Sequence, residues 1–236
     1  MEFFGSIPWQ TWVWAFIGGV IPTFFWLWFW LRYDQKHPEP KGLLFLVFLG
    51  GALSTMIALP LQNWLSRLIV MAIPFTIALA FSEELIKYIF ARVIALRTKF
   101  FDEPRDAVVY LVTAALGFAA IENALYLLDP LINRDIGLTI ATGNLRFIGA
   151  TVLHTVGAGI LGLAIGLAFY KPKLVKFIHF LGGIIAATAV HALFNYFIDK
   201  NTQESFIITF GVLWITLITT VLLFTKLRNI RPRRVV

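Results

Sequence analysis

This sequence predicts an all-α membrane protein: a bundle of about seven transmembrane helices, N-terminus outside and C-terminus cytoplasmic. Three observations carry that reading. The 236 residues are 59% hydrophobic, with a mean hydropathy of +0.80. Only 14% are charged, against about a quarter in an ordinary soluble domain. Several apolar runs exceed the roughly 18 residues that mark a bilayer span. Lipid offers no partner to a free backbone amide, so closed helices are the default. The bilayer is thus the first partner implied, and the cell membrane is the expected location of a single integral domain over 1–236.

The spans fall at roughly 8–31, 42–61, 70–95, 107–128, 147–169, 175–198 and 205–225, each long enough for about 30 Å of hydrocarbon at 1.5 Å per residue. The first, Pro8 to Leu31, is too long for a signal-peptide core. It lacks a basic leader and an A-x-A site, so it is expected to be retained. The second ends at Pro60, and Pro74 is expected to kink the start of the third. The segment "PLINRDIGLTIATGNLR" (130–146) is expected to lie along the outer surface.

The charges alternate between links. Arg32, Lys36 and Lys41 follow the first span. Arg97, Lys99 and Arg105 follow the third, "KPKLVK" the fifth, and "KLRNIRPRRVV" ends the chain. The other side holds Arg67, Arg134, Arg146 and Lys200. Basic residues collect on the cytoplasmic side, so the net charge of +7 reads as a topology signal. No nucleic-acid partner is implied. Trp9, Trp12, Trp26, Trp28, Trp30, Trp64 and Trp214 lie mostly near span ends, as an interfacial belt would. The absence of cysteine excludes disulfides, thiolate catalysis and cysteine-bound zinc.

Six ionisable residues fall inside spans: Glu83, Glu84, Lys87, Glu122, His154 and His191. Asn123 and Asn195 join them. Each ionisable group costs about 2.5–3.5 kcal/mol to insert, so a set of this size needs a common purpose. Opposite chain directions bring them to the middle or outer half of the bilayer, with His154 about seven residues, or roughly 10 Å, inside the outer face. Glu83 and Glu84 stand four and three residues before Lys87, so one glutamate can form a structural ion pair with it and leave the other free. His191 and Asn195, four residues apart, offer two donors toward one point. Small residues around both histidines let helices approach and exclude lipid. His37 and His179 receive no role.

Carboxylates with imidazoles and an amide in a dry pocket suit water activation. A buried carboxylate is a better base, and histidine and asparagine donors stabilise the oxyanion formed at a carbonyl. Ser82 points about 100° away from its neighbour Glu83, so no serine–base pair forms there. The set suffices for amide hydrolysis with no cofactor. Zinc held by candidates among Glu83, Glu122, His154 and His191 is the alternative, although no H-E-x-x-H occurs. An ion or proton transporter is a reading of another class, but no inverted repeat supports it. A non-catalytic membrane scaffold is a third.

The motifs "EELIK" (83–87), "GFAAIENALYL" (117–127), "LHTVGAG" (153–159) and "HALFN" (191–195) resemble the four motifs of the PrsW-type intramembrane proteases. "RYDQKHPEP" (32–40) resembles their first cytoplasmic loop. The wider clan includes the CAAX prenyl endopeptidases and the Aph subunit of gamma-secretase. The resemblance implies a polytopic protease cutting within or near the membrane, with its motifs between about 81 and 197. Its substrate would be a single-pass membrane protein, as in the first cut of an anti-sigma factor. By resemblance Glu83 is the general base, with Glu84 beside it. Glu122 stands where the CAAX enzymes carry a histidine, and His191 with Asn195 matches the oxyanion donors.

Overall fold

In a computed structural model, residues 7–32, 38–227 and 230 are described. They form eight α-helices and one π-helical turn: α1 Trp9–Leu31, α2 Lys41–Leu68, α3 Ala72–Ile94, α4 Asp106–Ile132, α5 Ile136–Leu145, the turn Arg146–Ala150, α6 Thr151–Leu167, α7 Lys173–Asp199 and α8 Gln203–Leu227. Three helices start directly after a proline: Pro8, Pro40 and Pro172. Proline brings no N–H, so the chain turns into the helix with one donor fewer to satisfy.

Six helical units are long and apolar enough to cross a bilayer: α1, α2, α4, the run from α5 through α6, α7 and α8. The seventh, α3, is as long as α1, but it carries Glu83, Glu84, Lys87 and Arg92. The expected all-α bundle is therefore present.

The core lies around α4. Every residue from Asp106 to Ala120 is buried, as expected of a helix apolar all round. α1, α2, α3 and α6 pack on it. Their approach is set by glycine. A Cβ on Gly51 of α2 would overlap the carbonyl of Ala114, and one on Gly117 of α4 would overlap that of Phe48. These small contacts bring helices together where lipid supplies no hydrophobic drive.

Four expectations need correction. α2 does not stop at Pro60 but runs through it to Leu68, because a proline removes one backbone bond and is tolerated inside membrane helices. Pro74 lies in the first turn of α3, where the missing N–H removes no intrahelical bond. The segment 136–145 has no buried residue. It is helical and continues through the π-helical turn into α6, forming one 32-residue unit. His154 consequently sits near the middle of that unit rather than close to one end. Trp26 and Trp30 do not belong to an interfacial belt: both are buried in the core, where Trp26 packs on Phe147 and Trp214 and Trp30 on Phe224. Trp9, Trp28 and Trp64 are exposed. His37 lies outside the described residues.

At the end of the bundle where α4 begins, the buried Tyr110 hydroxyl pairs with the Glu39 carboxylate and lies 3.2 Å from the Phe100 carbonyl. Asp106 Oδ2 accepts the amides of Asp102 and Glu103 at 3.0 and 2.6 Å. This network ties the links before α2 and before α4 to the core. Tyr110→Phe should lower stability by about 1.5–3 kcal/mol, the scale of a hydrogen bond to a charged group. Thermal melting in detergent checks this, and an unchanged melting temperature contradicts it.

Candidate active site

Successive residues on a helix point about 100° apart, so Glu83 and Glu84 face different neighbours although both are buried. Glu84 turns toward α6 and α7. Its Oε1 accepts from Lys87 Nζ at 2.6 Å and from His191 Nδ1 at 2.7 Å. Glu83 turns toward α2 and a cavity. Its Oε1 accepts from Gln62 Nε2 at 2.8 Å. Its Oε2 is buried with no hydrogen-bond partner among the described residues, and lies 3.6 Å from His191 Nε2. Lys87 thus pairs with Glu84, and Glu83 is the glutamate left free.

Lys87 Nζ also lies 3.1 Å from His154 Nδ1. An ammonium can only donate, so Nδ1 accepts and the ring proton sits on Nε2. That Nε2 donates to Glu122 Oε2 at 2.9 Å. Glu122 also pairs with Arg146, whose Nε donates to Asn123 Oδ1 at 2.5 Å. Asn123 Nδ2 donates to Thr151 Oγ1 at 2.9 Å. The rings of His154 and His191 meet edge to face with centroids 5.3 Å apart. Four helices therefore bring every ionisable residue singled out in the spans into one connected cluster. The small residue Gly157 makes room for it: a Cβ there would stand 3.1 Å from Glu84 Oε1.

The cluster borders a cavity of about 790 Å³. Glu83, Glu122, His154, His191 and Asn195 line it, with Gln62 and Arg146. Its walls are largely apolar, including Phe75, Leu79, Phe118, Leu153 and Phe210. Glu84 and Lys87 stay behind the wall. Asn195 is half-buried one turn beyond His191, as expected. His179 Nδ1 lies 2.9 Å from the Val175 carbonyl, near the start of α7.

Gln62 and Arg146 were not anticipated. Gln62 falls beyond the proline expected to end its span. Arg146 reads as a loop charge unless the helix before His154 is extended, which puts it about two turns from the histidine.

The PrsW family of intramembrane metalloproteases matches residues 39–224, a range that encloses the whole cluster. The chain belongs to this family. The protein called Protease PrsW of Geobacillus kaustophilus (strain HTA426) is 32% identical over 113 residues, 47% of this chain and 50% of the relative. The Protease PrsW of Clostridioides difficile (strain 630) is 30% identical over 133 residues, 53% of this chain and 54% of the relative. The matched stretches thus cover about half the length of each. No solved structure matches the chain. PrsW membership and the apolar helices together make this a multi-pass integral membrane protein.

The family description implies a metal ion, and the donors allow a test. Glu83, His154 and His191 each bring one ligating atom within 4.8 Å of the others. The free Glu83 Oε2 suits a cation. So does His191, whose Nδ1 rests on a carboxylate as a metal-bound imidazole requires. His154 does not. Its Nδ1 faces an ammonium, its Nε2 holds the proton, and a positive charge stands 3.1 Å away. A catalytic zinc takes three protein ligands. As arranged, this group provides two and does not fit a resident ion.

Lys87→Met would strand the Glu84 carboxylate in the core. Removing one partner of a buried pair costs about 3–5 kcal/mol, and the folded yield and melting temperature should drop accordingly. A variant as stable as the parent protein would show that the pair is not structural.

Proposed function

We propose that this protein is an intramembrane endopeptidase that hydrolyses a peptide bond of a membrane-anchored protein, with water as nucleophile and Glu83 as its base. The observation that carries the reading is the free Glu83 Oε2, buried at the cavity wall opposite His191 Nε2. Gln62 holds the other oxygen, and Glu83 lines the cavity. Water there gives its proton to Glu83 as its oxygen bonds to the scissile carbonyl carbon. The carbonyl oxygen gains the negative charge. The His191 ring and the Asn195 amide, which line the cavity, are the groups available to stabilise it. The C–N bond then breaks, and Glu83 passes the proton to the departing amine. His154 and Glu122 line the same wall and order the water.

A specific observation, the Glu83–His154–His191 group, favours a metallopeptidase as the second reading. The proton on His154 Nε2 and the charge on Lys87 speak against it. Metal analysis of the purified protein, with activity measured after chelation, separates the two. Activity that survives chelation supports the water-only reading, and loss restored by zinc supports the metal.

The cavity runs from mid-bundle toward the end where α3 starts and α4 and α7 finish, with Asp129 and Asp199 at its rim. That end carries few basic residues, whereas Lys41, Arg97, Lys99, Arg105, Lys171, Lys173 and Lys176 lie at the other. By the charge rule the cavity opens outward, so the cut falls near the outer face. The substrate is a single-pass regulator such as an anti-sigma factor, in a bacterial cell membrane. Reporter fusions after Lys41, Lys99 and Lys173 should report cytoplasm, and an external signal at two of them overturns this orientation.

The function is tested with Glu83→Gln, which keeps the shape but cannot take the proton. On a cleavable transmembrane peptide, turnover should fall by at least about 10²-fold, the scale of general-base catalysis, with melting unchanged. A folded variant that cleaves at the parent rate removes Glu83 from the mechanism.

A further inference from the structure

We infer that Arg146 is a positioning residue for this hydrolysis: it holds Glu122 against His154, and a π-helical turn locked by Trp26 fixes it there. The inference rests on the endopeptidase reading for its consequence and on geometry of its own.

One guanidinium reaches three residues of α4. Its Nη2 pairs with Glu122 Oε2, its Nε donates to Asn123 Oδ1 at 2.5 Å, and its carbon lies 4.0 Å from the centre of the Tyr126 ring. Glu122 Oε2, the oxygen it grips, is the same atom that accepts from His154 Nε2 at 2.9 Å. The grip therefore holds the acceptor that keeps the His154 proton on Nε2. Asn123 fixes the other side. While its Oδ1 takes Arg146, its Nδ2 donates to Thr151 Oγ1, so one amide straddles the turn from Arg146 to Thr151.

The turn itself is a departure from helical register. In an α-helix the Thr151 N–H would bond the Phe147 carbonyl. Here it bonds the Arg146 carbonyl instead. The Phe147 carbonyl so released accepts from Trp26 Nε1 at 3.1 Å, from an indole buried in α1. An inserted residue of this kind re-aims a side chain, and such turns recur at functional sites. Arg146 touches none of the reacting groups assigned above. It acts through Glu122 and His154.

Arg146→Lys keeps the charge but cannot span Glu122 and Asn123 together. Arg146→Ala leaves a gap at the cavity wall that methylguanidine can fill. Trp26→Phe keeps a ring and removes only the N–H. Each is assayed on the transmembrane peptide beside Glu83→Gln, and the His154 ring is followed by nitrogen NMR in the full-length protein. We expect Arg146→Lys to melt like the parent, with kcat reduced roughly 10- to 100-fold, as small misplacements cause, and KM unchanged. Methylguanidine, but not methylammonium, should restore Arg146→Ala. The His154 proton should spread over both nitrogens in Arg146→Lys and, to a smaller extent, in Trp26→Phe. A folded Arg146→Lys with the parent kcat and an unaltered His154 spectrum overturns the inference, as does a raised KM with kcat intact. If Arg146→Lys fails to fold, Trp26→Phe decides by the same readouts. If Glu83→Gln cleaves as well as the parent, the endopeptidase mechanism fails, and the His154 spectrum alone judges Arg146.

Discussion

A lysine ammonium in the middle of a membrane bundle has few stable options. Lys87 is buried, and it rests 2.6 Å from Glu84 and 3.1 Å from His154. Moving either partner would leave a charge in a medium that cannot screen it. This one contact therefore fixes α3 against α6, sets which nitrogen of His154 carries the proton, and occupies Glu84. Through Glu84 it also orients His191. Glu83, one residue earlier and turned about 100° away, remains free to face the cavity. Three carboxylates, Glu83, Glu84 and Glu122, stand against two permanent cations, Lys87 and Arg146.

The rest of the bundle serves to keep this cluster dry. α4 is enclosed for most of its length, and Gly51, Gly117 and Gly157 are among the places where a methyl group would separate helices or press on a carboxylate. The cluster reaches the cavity through Glu83, Glu122, His154 and His191, with Gln62, Arg146 and Asn195 beside them. Apolar helices give the site its low dielectric, and the polar residues compensate one another inside it. The same arrangement speaks against an ion held by Glu83, His154 and His191 as they stand. A cation would have to displace the His154 proton and settle beside an ammonium.

Much of this was legible in the sequence because a bilayer leaves few choices. Apolar runs of sufficient length have to be helices, and the charges inside them have to meet. The spacing of Glu83, Glu84 and Lys87 showed that one glutamate would be paired, though not which one. That depends on the position of His191, 107 residues away in the chain. Helix ends were harder. Hydropathy stops at polar residues, whereas a helix stops only where its backbone bonds do. Pro60 and the mixed segment 130–146 thus read as boundaries, which puts Gln62 and Arg146 outside the site. Trp26 and Trp30 were misassigned for a related reason. Nearness to a span end favours a belt, but the faces they occupy turn toward α6 and α8. The π-helical turn had no sequence signal, since it arises from tertiary bonds made by Trp26 and Asn123.

The division between the two glutamates is the central claim, and equilibrium stability tests it most directly. Glu83→Gln and Glu84→Gln can be compared in one detergent by denaturant unfolding at neutral pH. The account predicts that Glu83→Gln matches or exceeds the parent protein, because it removes a charge with an unsatisfied oxygen. Glu84→Gln should lose several kcal/mol, because it leaves Lys87 without its counter-charge. Equal stability for the two variants, or the larger loss in Glu83→Gln, would contradict the account.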